Sequence, residues 1–211
     1  AITFKSDPDF ETPLGGSSND SNTYEITVNV NDGSVDVVQA HTIAVINVND
    51  APVITTTSFG SIAEEQTAVG TLAATDADAS DSITFTVTGG VDSDKFAVSG
   101  IGGSVLVFSG FTPDFETPTG GSGNNSNTYE VQITATDNGA GGLTDVETVS
   151  VKVVNDNEAP VIKTTSFGSI AENQTAVGSL AVTDDACDSI TFTITGGVDS
   201  DKFAVSGSTL A

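Results

Sequence analysis

Carboxylates supply almost all the chemistry open to this chain, and they come in groups that recur. Pro8-Asp9-Phe10-Glu11 returns as Pro113-Asp114-Phe115-Glu116. The run Ser58-Phe59-Gly60-Ser61-Ile62-Ala63-Glu64 returns, 108 positions on, as Ser166-Phe167-Gly168-Ser169-Ile170-Ala171-Glu172. Asp76-Ala77-Asp78 has a near copy in Asp184-Asp185, and Asn49-Asp50 has one in Asn155-Asp156. A group used again at a fixed period is a site used again. Bunched like charges are costly unless a cation sits among them, so the chemistry indicated is cation capture. The bland alternative is that Asp and Asn in loops make Asx-turns. We assign that role to Asp20, Asp81, Asp92, Asp94, Asp199 and Asp201. Turn chemistry alone would not require the glutamates.

Composition narrows the partners. The chain has 29 acidic and 5 basic residues, a net charge of −24. Such self-repulsion opposes a compact state unless salt screens it or bound cations cancel it. Nucleic acid and anionic membrane surfaces both need Lys and Arg, so neither is expected as a partner. High charge can also mean disorder, but 37% of residues are apolar and they alternate in strand-length runs. The single Cys187 excludes an internal disulfide, and small secreted domains without disulfides often depend on metal. No apolar run reaches the roughly 18 residues of a membrane span. With no signal peptide and no methionine, the chain reads as a processed protein, an excised fragment or a window from a longer one.

The elements that must hold these groups are strands. Tyr129–Thr136, Ile83–Thr88 and Val149–Val153 alternate β-branched or apolar residues with polar ones at period two, the pattern of a strand with one face on a core. Gly89-Gly90, Asp92-Ser93-Asp94, 120–125 and 139–142 are turn clusters between them. Within 53–160 the expected strands are 53–62, 68–75, 82–88, 95–99, 104–109, 127–136 and 144–154. Seven short strands in one unit predict an all-β, Greek-key, immunoglobulin-like sandwich. Its core must come from Val, Ile, Leu, Phe and Ala, because Trp and Met are absent. Residues 1–52 match only the second half of this unit, and 161–211 only the first half. The seams between units, Asn49–Ile54 and Asn155–Ile162, contain Pro52 and Pro160, which stop a ladder and stiffen the link.

At these seams the chain resembles the cadherin family, and the resemblance covers its whole length. Asn155-Asp156-Asn157-Glu158-Ala159-Pro160 resembles the cadherin linker with one extra residue before Ala-Pro. Asn49-Asp50-Ala51-Pro52 resembles a shortened form common in bacterial cadherin-like repeats. Asp76-Ala77-Asp78 is similar to the family's DxD element, and Asp9-Phe10-Glu11 and Asp114-Phe115-Glu116 to its DxE element. Glu64 and Glu172 stand where the family has a strand-A glutamate, and Asp32 and Asp137 where it has an aspartate ending strand F. The resemblance implies tandem sandwiches end to end in a rod, with Ca²⁺ held at each boundary.

That implied ligand set suits a cation that takes about six to eight hard oxygens. At the first seam it comprises Asp9, Glu11, Asn49 and Asp50 from below and Asp76, Asp78 and Asp137 from above. At the second it comprises Glu64, Asp114, Glu116, Asn155, Asp156 and Asn157 from below and Asp184 and Asp185 from above. Glu172 would begin a further site, and Asp32 would complete one begun by a preceding copy. Thr183-Asp184-Asp185-Ala186-Cys187-Asp188 has lost one residue of the DxD spacing, which leaves open which two carboxylates bind. The first linker lacks the second Asn, so each seam is expected to hold fewer ions than a full cadherin site.

The remaining motifs carry less. His41 has no partners for a triad or a zinc site, Cys187 has no neighbouring base, and no acid/base pair marks an enzyme. The sequons at Asn19, Asn124 and Asn173 arise easily in a Ser/Thr/Asn-rich chain. Phe10, Phe96, Phe115 and Phe203 are expected as core anchors. A calcium-dependent carbohydrate-binding module is the alternative function, but only Tyr24 and Tyr129 could add tyrosine platforms to it. The halves 1–52 and 161–211 each leave a core face open. They are expected to complete one another, either between chains or along a longer array. The reading is an extracellular, calcium-stiffened repeat of a bacterial filament or giant adhesin. Its partners would be itself, head to tail, and a cell-surface protein or polysaccharide, with no membrane insertion.

Overall fold

The longest β-branched alternations of the middle unit form its two longest strands. In a computed structural model, which describes residues 1–121, 123–185 and 188–207, thirteen strands follow in order. They are β1 (Thr23–Asn31), β2 (Asp36–Ala44), β3 (Val53–Ile54), β4 (Ser58–Ala63), β5 (Ala68–Thr71), β6 (Ala74–Thr75) and β7 (Thr84–Gly89). β8 (Phe96–Ser99), β9 (Val105–Phe108), β10 (Thr128–Thr136), β11 (Thr144–Val154), β12 (Val161–Ile162) and β13 (Val182–Thr183) complete the series. The helical pieces among the described residues are three short 3-10 turns, and no described helix is long and apolar enough to cross a membrane.

Residues 53–154 make one sandwich. One sheet has the order β4-β11-β10-β7, and the other is β5-β9-β8, extended by the β3-β6 pair. β4 runs parallel to β11, while the other pairings are antiparallel. Two sequence-predicted strands are each divided. The expected strand 53–62 becomes β3 and β4 because Val53-Ile54 pairs with β6 while Ser58–Ala63 crosses to β11 in the other sheet. The expected strand 68–75 becomes β5 and β6 because their partners differ likewise. Gly60 takes φ +69° within β4, where the pairing with β11 shifts register. A side chain there would strain the backbone of such a bulge.

The inward faces of β10 and β11 fill the core. Tyr129, Val131, Ile133 and Ala135 of β10 are fully buried, as are Val149, Val151 and Val153 of β11. They meet Phe85, Phe96, Leu106 and Phe108 of the facing strands. Phe96 stacks on Phe108 at 4.7 Å, and Tyr129 stands edge-on to Phe108 at 5.1 Å, arrangements that the ring quadrupole favours. The Tyr129 hydroxyl lies 3.4 Å from the Thr119 amide, which donates to it. Tyr129 is therefore a core residue and offers no platform to a sugar. The three sequon asparagines Asn19, Asn124 and Asn173 all have positive φ, a turn conformation that Asn tolerates.

The flanking segments keep their strand pattern without a core. β1 and β2 pair in the same antiparallel manner as β10 and β11, yet Val30 is 65% exposed where its counterpart Ala135 is fully buried. In 161–207 the described strands are β12 and β13, which pair as β3 and β6 do. Phe203, expected as a core anchor, is 56% exposed, against 6% for Phe96. The facing half that would cover Phe203 is not present in its own segment. Cys187 and Ala186 lie outside the described residues. Ile133→Ala is expected to destabilise the middle sandwich by about 2–5 kcal/mol through the cavity it leaves, measured by urea denaturation.

Candidate functional site

Two acidic clefts lie at the ends of the middle sandwich. The second is built around Glu64, which follows β4 and is 2% exposed. Its backbone amide donates to Val154 O at the end of β11. Its carboxylate accepts from the Phe115 amide at 2.7 Å and the Asp156 amide at 2.9 Å. One side chain thus ties the Asp114–Glu116 loop to the linker. Carboxylate oxygens of Glu64, Glu116 and Glu158 all lie within 4.8 Å of one another. Asp185 is buried and accepts from the Glu158 amide at 3.1 Å. Asp114, Asp184 and Asp185 also line this cleft of about 390 Å³.

The first cleft, of about 720 Å³, gathers Asp9, Glu11, Asp50 and Asp76. Asp78 is buried beside it and accepts from Asn47 Nδ2 at 2.6 Å and the Asp50 amide at 2.8 Å. Asp137, also buried, accepts from Asn49 Nδ2 at 3.1 Å and the Gly139 amide at 2.8 Å. A Cβ on Gly139 would collide with Asn49 Oδ1 and Asp81 Oδ2. A side chain there would push the ends of the Asn49 and Asp81 side chains aside. Asp81 is therefore part of this cleft as well as of a turn, where its amide donates to Asp78 O.

The two clefts share two features at the DxD element. Asp76 Oδ2 and Asp184 Oδ1 are both buried and have no hydrogen-bond partner. Asp78 Oδ2 and Asp185 Oδ2 each accept a linker amide, from Asp50 and Glu158 respectively. The pair left open by the shortened spacing is thus Asp184 and Asp185. The same equivalence corrects the reading of the linkers. Asp50 and Glu158 are counterparts, and Val45 and Val153 make the same bonds to Asn22 and Asn127. The two linkers of this chain are therefore equal in length to each other, and the length difference between the units falls in the turns that precede β2 and β11.

Not every expected residue reaches a cleft. Asn155, Asp156 and Asn157 are exposed, and Asn157 Nδ2 donates to Glu158 O at 3.2 Å. Glu172 is exposed. Asp32 is exposed at the β1–β2 turn, accepting the Ser34 and Val35 amides at 2.9 Å each. Neither joins a cleft within the chain. Glu158 and Asn47 were not among the expected ligands, and Asp81 was expected only as a turn former. The signal for the first two lay in the equivalence of β2 and β11, which matching the Asn-Asp motifs conceals. Asp92 is a buried structural group rather than a surface turn former, accepting the Gly121 and Glu130 amides at 3.0 and 2.8 Å.

The electrostatics are one-sided. Among the described residues the salt bridges involve only Lys95 and Lys202, so no cleft carboxylate has a cationic partner. Glu116 is raised above its ordinary range by desolvation and then by Glu64. Glu11 is raised by desolvation and by Asp78, Asp50 and Asp9. Glu158 is pushed up to about 7, first by a hydrogen bond shared with Asp185, then by desolvation and the charges of Glu64, Asp185 and Glu116. Asp9 and Asp114 go the other way, lowered first by Thr12 and Thr117.

No protein-family model matches this sequence, and no curated protein does. Solved structures do. Human CDH23 EC21-23 is similar over 77% of this chain and 58% of its own, with 20% identity and a TM-score of 0.52. Protocadherin gamma B7 extracellular cadherin domains 1-4 are similar over 83% of this chain and 42% of their own, with 22% identity and a TM-score of 0.52. The fold is that of cadherin extracellular domains. The chain spans about half the length of these cadherin structures.

In excess chelator the second cleft should report its own crowding. The Glu158 carboxyl goes from 4.5 to about 7 on folding. Between those values the folded chain holds a proton that the unfolded chain releases. Stability therefore falls as pH rises through that window and levels off above it. A carboxyl titration by NMR should show a midpoint near 7, and Glu158→Gln should flatten the slope of thermal stability across that range. A midpoint near the ordinary glutamate value would refute the crowding.

Proposed function

We propose that the chain is a calcium-stiffened, extracellular structural or adhesive repeat of a bacterial filament or giant adhesin, joined head to tail with identical units. The observation that carries this reading is the pair of orphaned oxygens. Asp76 Oδ2 and Asp184 Oδ1 are desolvated at equivalent positions without a donor, and buried polar atoms are seldom left so. Each sits in a cleft of carboxylates with no neighbouring Lys in ion-pair range among the described residues.

The donor set fits the ion. Glu64, Glu116, Glu158, Asp184 and Asp185 at the second seam, and Asp9, Glu11, Asp50, Asp76, Asp78, Asp81 and Asp137 at the first, offer only oxygen. That favours a hard, adaptable cation such as Ca²⁺ over a metal that prefers nitrogen or sulfur. Asn49, Asn155, Asp156 and Asn157 lie on the linkers as further oxygen donors. Bound Ca²⁺ would supply the positive charge that these residues lack. The chain's own part is to hold carboxylates from both sides of a seam close together, so that a cation between them fixes the angle between sandwiches.

The cadherin-type fold and the resemblance at the linkers support an adhesive role. The inward-facing Tyr129 weighs against a carbohydrate platform. Adding excess chelator to the assembled protein is expected to turn a stiff rod into a flexible string, seen as a loss of persistence by small-angle scattering or electron microscopy. A rod of unchanged stiffness in chelator would sink the mechanism. Gly139→Ala should weaken Ca²⁺ binding at the first seam by about tenfold or more while the second is unaffected, read by calorimetric titration. Its Cβ would occupy the space between Asn49 and Asp81.

A further inference from the structure

Of the asparagines in this chain, Asn138 alone is followed by glycine. Glycine has no side chain to shield its amide nitrogen, so that nitrogen can approach the side-chain amide before it closely. Asn138 stands in the bend after β10 and is exposed to water. Two hydrogen bonds hold the reacting atoms. The Ser82 amide donates to Asn138 Oδ1 at 2.7 Å, which polarises the side-chain carbonyl. The Gly139 amide donates to Asp137 Oδ1 at 2.8 Å, which draws on its hydrogen. An electrophilic carbon and a nucleophilic nitrogen are thus neighbours along the chain, and the fold acts on each of them.

We propose that Asn138 is a self-modification site, at which the folded chain converts this asparagine to aspartate and isoaspartate. In the first step a bond forms between Gly139 N and Asn138 Cγ. The carbonyl electron pair moves onto Oδ1, where the Ser82 amide receives it, a backbone donor at the distance an oxyanion needs. The Cγ–Nδ2 bond then breaks. Nδ2 departs as ammonia, carrying the proton that Gly139 N gives up along its bond to Asp137. A cyclic imide remains. In the second step water opens that ring. Breaking the bond from Gly139 N to Cγ leaves aspartate on the original backbone. Breaking the bond from Gly139 N to the main-chain carbonyl carbon leaves isoaspartate, whose backbone runs through the side chain and is longer by a methylene. Water is the co-reactant, and nothing is oxidised or reduced.

The location gives the change its effect. Gly139 is packed between the ends of the Asn49 and Asp81 side chains. Asp137 beside it is buried and accepts from Asn49 Nδ2 at 3.1 Å. An added methylene before Gly139 moves the glycine out of that gap and draws its amide off Asp137. Aspartate instead adds negative charge to an end of the sandwich that already has no cationic partner among the described residues. Both products act on the first cleft and leave the second untouched. The covalent change stands without metal, while its effect on Ca²⁺ rests on the calcium reading above.

The test holds the full chain warm at mildly alkaline pH, folded in one sample and unfolded in guanidinium chloride in another. Both are digested and read by peptide mass spectrometry with isoaspartate detection. The Asn138 peptide is expected to gain the mass difference between –NH₂ and –OH before any other asparagine does. It is expected to do so about tenfold faster in the folded chain, where the Ser82 donor is in place. An equal or slower rate in the folded chain overturns the proposal, as does earlier conversion of another asparagine. Asn138→Gln would have to close a larger ring, and it is expected to stay unconverted with an unchanged thermal transition. In calorimetric titration the converted wild-type chain should bind Ca²⁺ about tenfold more weakly at one seam, while Asn138→Gln held for the same time keeps both. An unchanged titration of fully converted chain overturns the effect on the first cleft. Conversion in a chain that binds no Ca²⁺ even when fresh upholds the self-modification and removes the calcium reading alone.

Discussion

Like charge is gathered at each end of the middle sandwich and held there by uncharged donors, backbone amides and the Asn47 and Asn49 side chains. Glu64 is fastened by Phe115 and Asp156, Asp78 by Asp50, Asp185 by Glu158, and Asp137 by Gly139. Such bonds fix where a carboxylate sits without neutralising it. Glu11 and Glu116 are raised first by desolvation and Glu158 first by its hydrogen bond with Asp185, and neighbouring negative charge adds to each. The sandwich makes the arrangement possible. The ends of β4, β6 and β10 deliver Glu64, the Asp76–Asp78 turn and Asp137 to its two ends. A linker threaded past those ends adds its own amides and carboxylates. The boundary is thus a property of strand ends, and the core that aligns the strands also sets the spacing of the charges.

Much of this was legible from residue order. Alternation marked β7, β10 and β11, the recurring Pro-Asp-Phe-Glu runs marked both clefts, and the Ala-Glu run at Glu64 marked the second. The divided strands were not legible. Val53–Ala63 reads as a continuous apolar-polar pattern, and nothing local says that its first part pairs with β6 and its second with β11. The equivalence of Asp50 and Glu158 was hidden for a similar reason. Matching Asn49-Asp50 to Asn155-Asp156 makes one linker look longer, and the register of each hairpin shows that the difference belongs to the preceding turn. Asp81 and Asp92 look alike in sequence, each a loop aspartate near Ser. One reaches a boundary, and the other closes beneath a glycine loop, because the fold and not the neighbours decides what stands opposite.

The flanking segments show how far local sequence carries structure before tertiary contacts take over. β1 and β2 form a full nine-residue pairing, since a hairpin needs only its own turn and its alternation. In 161–207 the strand-forming residues are equally good, yet among those described only β12 and β13 are assigned. Phe167, Ile170 and Phe203 have the same neighbours in sequence as Phe59, Ile62 and Phe96, and they differ only in having nothing to lie against. Propensity proposes a strand there, and burial has to complete it.

The parallel pairing of β4 with β11 bears on how the middle sandwich takes a load. β4 lies near its entry and β11 near its exit, and a pull on the two linkers draws these neighbouring strands in opposite directions. Their hydrogen bonds run across that line of force on both sides of the bulge at Gly60. They must yield together in shear instead of opening one by one like a zipper. The resistance of the middle sandwich to such a pull is set in part by the few rungs between Ser58 and Ala63.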